Sequence, residues 1–352
     1  MGRYIGGEFW YNDALICKEG QLDEKAWFLS GGQSSLQVIC DYLKASKINK
    51  VVLPSYLCPD ILDRFELNNI KYDFYNIAED FSIDIEDLKM KSVDSPAVFF
   101  INYFGFLSSK EEYRILSEIK NEGKILIEDN VHCLFNRNII GSFSFNSFRK
   151  FVPYDGSYLY SDYNLEPYIP KYEKGLSERI HLIREARELK TKFILNKEIS
   201  ENEYLEKFRI ADQTYITNNL EVGNKDEKYK IDHIDWKLIA EIRRENYRYL
   251  VKMLLELRDI EVIFPELEQD TIPIGLPIYL KKGKRDELRD FLKRQDIFAP
   301  IHWNLQNDIR LSKNFVAIEM SKEILTLVID QRYSKGDMDS IYKFISIYLN
   351  NN

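Results

Sequence analysis

An aspartate and a lysine lie close together in the chain, in segments typical of the edge of a ligand-binding sheet. Asp129 follows the apolar run KILIE (124–128), which predicts a buried strand, and Lys150 comes about one short hairpin later, before an Asp-Gly turn at 155–156. Pyridoxal phosphate (PLP) needs such a pair, because the amine binds its aldehyde and the carboxylate keeps its pyridine nitrogen protonated. Taken alone the pair is weak evidence, since both residue types are common in solvated loops.

A segment rich in glycine and serine precedes the first predicted helix. The sequence SGGQS (30–34) leads into a helical pattern over 34–45. The free N–H groups and the dipole at the amino end of a helix favour phosphate binding. A glycine turn with a serine cap is the alternative interpretation. The spacing differs from G-x-G-x-x-G, so a dinucleotide fingerprint is not indicated.

Apolar runs alternate with helical patterns between residues 30 and 165. Strands are predicted at 50–54, 72–77, 97–103 and 124–128, and helices at 59–67 and 110–121. This alternation predicts an α/β fold with a mainly parallel sheet covered by helices. Ligands of such sheets bind beyond the carboxyl ends of the strands. Tyr56, Tyr103 and Asp129 all lie at predicted strand ends.

The second half of the chain predicts a smaller α+β domain. Residues 173–220 are helical and charged, and 223–229 is a polar connector. A long helix over 236–257 is followed by strands at 262–264, 274–279, 298–303 and 324–329, with helices at 285–293 and 338–349. We therefore predict a large domain over 1–230 and a small domain over 231–352.

Composition excludes several classes of function. The 352 residues carry a net charge of -8 with no basic block, which disfavours nucleic-acid binding. The four cysteines and four histidines lack the spacing of a zinc site or a disulfide framework, so no metal is predicted. No apolar run is long enough to span a membrane, and the amino-terminal residues lack a signal-peptide core. These features predict a soluble cytoplasmic protein without a membrane partner.

Taken together, these segments resemble the fold-type-I PLP enzymes of the aspartate aminotransferase superfamily, and among them the DegT/StrS-type nucleotide-sugar aminotransferases. The resemblance covers nearly the whole chain and rests on SGGQSSL (30–36), LPSY (53–56), NYFG (102–105), IEDNVH (127–132), SFRKFVPYDG (147–156), RRENY (243–247), PIHW (300–303) and IDQRY (329–333). It implies a three-layer α/β fold, bound PLP and a homodimer. It also implies amino transfer, with glutamate as donor, to a nucleotide-linked keto sugar in surface polysaccharide assembly.

The resemblance assigns four residues to the cofactor ring. Lys150 would bind the aldehyde covalently and serve as the catalytic acid-base. Asp129 would pair with the pyridine nitrogen, and His132 would lie near the ring oxygen. Tyr56 would stack on the face of the ring.

Other residues would bind the cofactor phosphate or the substrate. Gln33 and Ser34 would hold the phosphate, with help from a serine before the lysine, either Ser144 or Ser147. Tyr103 would line the substrate side. Arg332 is either an anion clamp or an ion-pair residue, and for the His-Trp pair at 302–303 packing in the small domain is the favoured interpretation.

The lysine segment departs from the family pattern, in which the lysine follows a phosphate-binding serine by five residues. Here Ser144 lies six residues and Ser147 three residues before Lys150, and strict spacing would place Arg149 at the lysine position. An arginine cannot take that role, because its guanidinium stays protonated. Lys150 is favoured because the Arg-Lys-Phe form, followed by Pro-x-Asp-Gly, resembles a variant of this segment.

Two other functions stay open at this stage. One is a different PLP reaction on a sugar, such as dehydration, although related dehydratases have histidine in place of the lysine. The other is a catalytically degenerate PLP-fold protein with a binding or regulatory role, which Arg149 and the shifted serines would support.

Overall fold

A computed structural model of the chain describes residues 4–20, 22, 26–136, 138–169, 178–196, 199–213, 223–281 and 283–351. Its strands are β1 (Ile5–Gly6), β2 (Trp27–Leu29), β3 (Lys50–Pro54), β4 (Lys71–Tyr75), β5 (Ala97–Ile101), β6 (Ile125–Asn130), β7 (Phe143–Asn146), β8 (Ser157–Ser161), β9 (Ile260–Val262), β10 (Leu276–Leu280), β11 (Ile297–Phe298) and β12 (Ile324–Leu327). Its helices are α1 (Gly32–Ala45), α2 (Pro59–Leu67), α3 (Ile85–Ser92), α4 (Lys110–Asn121), α5 (Glu178–Asn196), α6 (Glu201–Gln213), α7 (Lys225–Asp232), α8 (Trp236–Leu254), α9 (Arg285–Lys293), α10 (Phe315–Glu323) and α11 (Lys335–Asn351).

Seven strands form the main sheet, in the order β2-β8-β7-β6-β5-β3-β4. The neighbours from β4 to β7 pair in parallel, whereas β8 is antiparallel to both β7 and β2. Every residue of β5 and β6 is buried, as expected of a parallel sheet covered on both faces. The predicted α/β class with a mainly parallel sheet is confirmed.

The connection between Asp129 and Lys150 is not a hairpin, so that prediction was wrong. The strand β7 lies between the two residues and pairs in parallel with β6, with Asp129 opposite Phe145. Two parallel strands cannot be joined by a tight hairpin, and the longer return between them includes residues 131–136 and 138–142. Both strands therefore deliver their carboxyl ends to the same edge of the sheet.

Residues 223–229 are not merely a connector, because α7 begins within them at Lys225. Its amino end is capped by the Asn224 side chain, which accepts hydrogen bonds from the N–H groups of Asp226 (2.9 Å) and Glu227 (3.2 Å). Such a cap stabilises a short helix whose sequence has little apolar periodicity. The strand predicted over 298–303 is also shorter than expected, since β11 ends at Phe298.

The carboxyl-terminal part contains the antiparallel sheet β9-β10-β12 and, separately, the parallel pair of β1 with β11. Ile5 of β1 joins the core formed by residues between 247 and 348. The segment after β1 is held by Lys190 Nζ, which donates to the Glu8 carbonyl (2.6 Å), and by Arg332, which donates to the carbonyls of Gly7 and Glu8 (3.2 Å each). The amino-terminal segment is therefore built into the second half of the molecule.

The helices α7 and α8 pack partly against the main sheet. Ile231, Trp236 and Ile239 share a buried cluster with Phe148 and Tyr158. The division into domains at residue 230 therefore stays a prediction. Among the described residues, none of the helices combines the length and the apolar character that crossing a bilayer would require.

Candidate active site

A cavity of about 100 Å³ lies where the carboxyl ends of the parallel strands meet the amino end of α1; we call it the inner cavity. Its lining includes five of the predicted site residues: Gln33, Asp129, His132, Ser147 and Lys150. Segments far apart in the sequence are thus brought to one pocket at the edge where ligands of α/β sheets bind.

Alternation along β6 directs Asp129 to the cavity and its neighbour Glu128 away from it. The Glu128 carboxylate accepts hydrogen bonds from the N–H groups of Ile140 (3.0 Å) and Gly141 (2.9 Å) and from Asn136 Nδ2 (2.7 Å). Glu128 therefore holds the loop that returns to β7. Of the two adjacent acids, only Asp129 lines the inner cavity.

Asp129 is buried, and its Oδ1 accepts a hydrogen bond from the Val131 N–H at 2.8 Å. Burial raises the pKa of the Asp129 carboxyl to about 7, although that hydrogen bond and the charge of Lys150 oppose the rise. A cation placed against this carboxylate would favour its charged form. The cavity therefore suits a protonated ring nitrogen at Asp129.

Without cofactor, Asp129 is expected to make folding stability pH-dependent. Its pKa is about 7 in the folded protein against an ordinary value of 3.8. The contribution is therefore fully present below about pH 4 and lost as the pH rises through 7. At about 1.4 kcal/mol per pH unit, the change is at most roughly 4–5 kcal/mol.

Urea unfolding of the cofactor-free protein at pH 5 and pH 8 tests this expectation. Between these pH values, the free energy of unfolding of Asp129→Asn should rise relative to that of the unsubstituted protein. Bound PLP should reduce or reverse that relative gain, which serves as the control. An equal difference at both pH values would contradict the assignment.

Lys150 is positioned by a short turn, Phe148–Lys150, that begins two residues after the end of β7. The buried Phe148 anchors this turn, with its ring 5.4 Å from that of Tyr158 and 5.5 Å from that of Trp236. Burial, and the charge of the neighbouring Arg149, lower the pKa of the Lys150 amine. A lowered pKa increases the neutral, nucleophilic fraction of the amine.

The amino end of α1 closes one side of the inner cavity through Gly32 and Gln33. A Cβ at Gly32 would lie 3.1 Å from Val131 Cγ2, so a side chain there would crowd this end. The Gln33 side chain is held by α2, because it donates to the Asp60 carbonyl (3.2 Å) and accepts from Arg64 Nε (2.9 Å).

The serines predicted to hold phosphate separate into two groups. Ser147 is buried and lines the inner cavity. Ser34 and Ser144 do not line it: the Ser34 hydroxyl lies 2.7 Å from that of Ser30, and the Ser144 hydroxyl accepts from Asn130 Nδ2 at 2.8 Å. Of the two serines before Lys150, the structure therefore places Ser147 beside the cavity.

His132 is buried with its ring stacked on Trp303, at a centroid distance of 5.2 Å and an angle of 18°. Burial and the nearby His302 lower the pKa of His132 well below its usual value, so the ring is neutral. Within the described ranges, His132 Nδ1 is buried and has no hydrogen-bond partner. A neutral imidazole with an unsatisfied nitrogen can serve a polar ligand atom.

Tyr56 and Tyr103 do not line the inner cavity, which corrects their predicted positions. The Tyr56 hydroxyl donates to the His302 carbonyl (2.5 Å) and accepts from the Trp303 N–H (3.0 Å), while the Tyr103 hydroxyl donates to the Tyr56 carbonyl. Both rings are buried in the core, where they support the segment that bears Trp303. The two tyrosines therefore support the wall of the inner cavity and do not face the cavity itself.

Cys58 and Trp303 are lining residues that sequence reasoning did not assign to the site. The chain turns after β3, so that Cys58, two residues beyond Tyr56, reaches the cavity. The sequence does offer one indication for Cys58, because this residue lies in the loop that follows a predicted parallel strand. Trp303 approaches from the carboxyl-terminal part, which no local pattern indicates.

A second cavity of about 410 Å³, the outer cavity, shares Arg149 and Lys150 with the inner one. Two carboxylates and six basic side chains line it: Glu8, Asp330, Arg149, Lys150, Arg243, Arg289, Lys293 and Arg332. Arg332 forms a two-point ion pair with Asp330 (2.8 Å for each bond) and lies over the Phe9 ring at 4.1 Å. Arg332 is therefore an ion-pair residue, and it lies in the wall of the outer cavity.

The residues of the inner cavity fit PLP. They supply an amine, a buried carboxylate, an unsatisfied imidazole nitrogen and the narrow amino end of a helix. Each matches one polar feature of the cofactor: aldehyde, ring nitrogen, ring oxygen and phosphate.

The sequence matches no protein-family model and no curated protein, whereas its structure is similar to solved structures. A DegT DnrJ EryC1 StrS aminotransferase from Brucella abortus has a TM-score of 0.61 at 18% identity, over 92% of this chain and 86% of that one. The PLP-form of Spr1654 from Streptococcus pneumoniae has a TM-score of 0.65 at 12% identity, over 90% and 85%. DesI, solved with its TDP-sugar product, has a TM-score of 0.66 at 13% identity, over 92% and 80%. The chain therefore has the fold of the DegT/DnrJ/EryC1/StrS-type aminotransferases.

Proposed function

We propose that this protein is a PLP-dependent aminotransferase that acts on a nucleotide-linked keto sugar. The observation that carries the proposal is the inner cavity, where Lys150, Asp129 and the amino end of α1 meet at the carboxyl edge of the sheet. The fold supports it, since Spr1654 was solved in a PLP-form and DesI with a TDP-sugar product.

Each of three residues of the inner cavity would have a separate role in the reaction. Bound PLP supplies an aldehyde that takes up an amino group and a ring that accepts the electrons left when a Cα proton departs. Lys150 Nζ would hold the cofactor through its aldehyde and would move the Cα proton as general acid and base. Asp129 keeps a proton on the ring nitrogen. His132 Nδ1 would contact the ring oxygen.

The outer cavity is the proposed substrate entrance. Its basic side chains outnumber its carboxylates, which suits anionic substrates such as an amino acid donor or a sugar diphosphate. Because Lys150 lines both cavities, a substrate held there would be close to the reacting amine. Glutamate as donor, a homodimer, a cytoplasmic location and a role in surface polysaccharide assembly belong to the same proposal through the family resemblance. The division into a large domain over 1–230 and a small domain over 231–352 is part of the same proposal.

Each half-reaction can be followed separately. Adding L-glutamate to PLP-loaded protein should change the visible absorbance in a single turnover and release one 2-oxoglutarate per active site. A nucleotide keto sugar should then restore the spectrum, whereas keto acids other than 2-oxoglutarate should do so poorly. Lys150→Ala is the control that should release no 2-oxoglutarate.

The same experiment decides between enzyme and binding protein. If PLP is attached to Lys150 but neither glutamate nor other amino acids change the spectrum, the aminotransferase proposal fails. The degenerate binding or regulatory protein then takes its place.

A further inference from the structure

The turn that carries Lys150 is short and is held in part by a long hydrogen bond. It spans Phe148–Lys150, and the Lys150 nitrogen lies 3.4 Å from the Ser147 carbonyl oxygen, beyond the usual range for such a bond. The next residue closes the turn, since the Phe151 N–H donates to the Phe148 carbonyl at 2.8 Å. How firmly Lys150 is held therefore depends on how firmly Phe151 is held.

The main-chain carbonyl of Phe151 is held by two side chains from the other half of the chain. Gln331 Nε2 donates to it at 2.5 Å, and Arg243 Nη2 donates to it at 3.4 Å. The Arg243 guanidinium also lies 4.9 Å from the centre of the buried Phe151 ring. Both polar main-chain groups of the residue that follows Lys150 are thus engaged.

Gln331 and Arg243 also hold each other. Arg243 Nε donates to Gln331 Oε1 at 2.8 Å, so the Gln331 amide bridges the guanidinium and the Phe151 carbonyl. Arg243 Nη1 donates to the carbonyls of Pro273 (3.0 Å) and Ile274 (3.1 Å), which fix the guanidinium from another side. The two side chains therefore present their donors to Phe151 in one arrangement.

The segment that bears Gln331 is anchored to α8, the helix that bears Arg243. Asn246 Nδ2, from the next turn of that helix, donates to the carbonyls of Ile329 (3.2 Å) and Tyr333 (2.9 Å). The motifs RRENY and IDQRY contributed to the family resemblance without a role of their own. The structure joins them and directs one side chain of each to the residue beside the lysine.

A role in binding substrate explains Gln331 less well than a role in holding Phe151. Arg243 lines the outer cavity, whereas Gln331, within the parts of the chain that the structure describes, belongs to the lining of neither cavity. Its amide oxygen is used by Arg243 and its amide nitrogen by Phe151. A side chain outside both cavities acts on the reaction through the groups that it holds.

We propose that Gln331 and Arg243 are positioning residues for Lys150. By fixing the Phe151 carbonyl, they hold the turn in the orientation in which the Lys150 amine meets both the cofactor aldehyde and the proton to be moved. Such alignment matters, because a misplacement of about 1 Å can cost roughly 100-fold in rate. This inference rests on the proposed function, which gives Lys150 its chemistry.

The first test uses the cofactor-free protein and the variant Gln331→Met, whose side chain has a similar length but cannot donate to the Phe151 carbonyl. Amide hydrogen exchange over residues 148–152 should become about 5- to 10-fold faster, the effect of one lost hydrogen bond on local opening. Gln331→Glu should behave in the same way, because a carboxylate can accept from Arg243 but cannot donate. Normal exchange in Gln331→Glu would overturn the inference.

The second test uses the protein loaded with PLP. Gln331→Met should lower the turnover number by about 10- to 100-fold and leave the KM of both substrates unchanged, since Gln331 lies outside both cavities. The pH midpoint of the visible absorbance of bound PLP should shift, and borohydride should attach less PLP to Lys150. A loss of stability alone would change neither of these two readouts.

Arg244→Met is the matched control. Arg244 is the neighbour of Arg243 on α8, and its Nε donates to the Thr271 carbonyl at 2.8 Å, so the variant removes a comparable hydrogen bond away from Phe151. It should leave hydrogen exchange over 148–152 and the pH midpoint unchanged. If Gln331→Met lowers the free energy of unfolding but also leaves both unchanged, the inference is overturned.

Failure of the proposed function gives a different result. In that case borohydride attaches no PLP to Lys150 even in the unsubstituted protein. If only the inference fails, the unsubstituted protein and Gln331→Met attach PLP to Lys150 equally well.

Discussion

Replacing Lys150 with alanine should reduce amino transfer from glutamate by roughly 10⁴-fold or more, because both the covalent anchor and the acid-base group are lost. PLP should still bind, held by the phosphate contacts and Asp129. Steady-state kinetics measure the loss of turnover. Borohydride reduction followed by peptide mapping should find the label on Lys150 in the unsubstituted protein and nowhere in the variant.

The neighbouring position provides a stringent companion variant. Combining Lys150→Ala with Arg149→Lys places an amine one residue earlier, where strict family spacing would put the lysine. Both side chains line the inner cavity, so the variant tests whether the position of the amine matters. If position 150 is the one that meets the aldehyde, this double variant should stay inactive and unlabelled. Recovered labelling at position 149, or a label elsewhere in the unsubstituted protein, would refute the assignment of Lys150.

Asp129→Asn should lower the turnover number by about 10²- to 10⁴-fold while PLP remains bound. The amide keeps the shape of the carboxylate but lacks the charge that holds a proton on the ring nitrogen. Asp60→Asn, at another acidic position of the same cavity, is the matched control and should cost far less. Near-normal turnover in Asp129→Asn would show that Asp129 is only a residue of the strand end.

Secondary structure was predicted accurately where the sequence of a helix or strand contains residues that mark its start or its end. The helix α4 was predicted over the same residues from its amphipathic pattern and from Gly123, which follows its end at φ 90°. The structure adds a capping box of Ser109 and Glu112 at its start. The strand β7 was missed because its sequence, FSFN, is short and half polar. It becomes a strand only through parallel pairing with β6, a tertiary effect.

The site was predicted to the extent that chemistry follows residue type. Asp129 and Lys150 were proposed because their residue types suit PLP, and the structure brings both to the lining of the inner cavity. Their roles stay predictions. Tyr56 and Tyr103 were misplaced because the direction of a side chain after a strand depends on how the loop turns. Trp303 was missed because its approach to His132 depends on packing between distant parts of the chain.

The pairing of β1 with β11 bears on the order in which the molecule assembles. Residues 6–9 wall the outer cavity, yet they are held by Phe298, Arg332 and Lys190, which lie far along the chain. Contacts between segments so distant form late, because the intervening chain must be ordered first. The main sheet can thus gather Lys150 and Asp129 while the outer wall is still open. Cofactor capture during folding would then precede closure of the substrate entrance, so that the order of assembly matches the order of use.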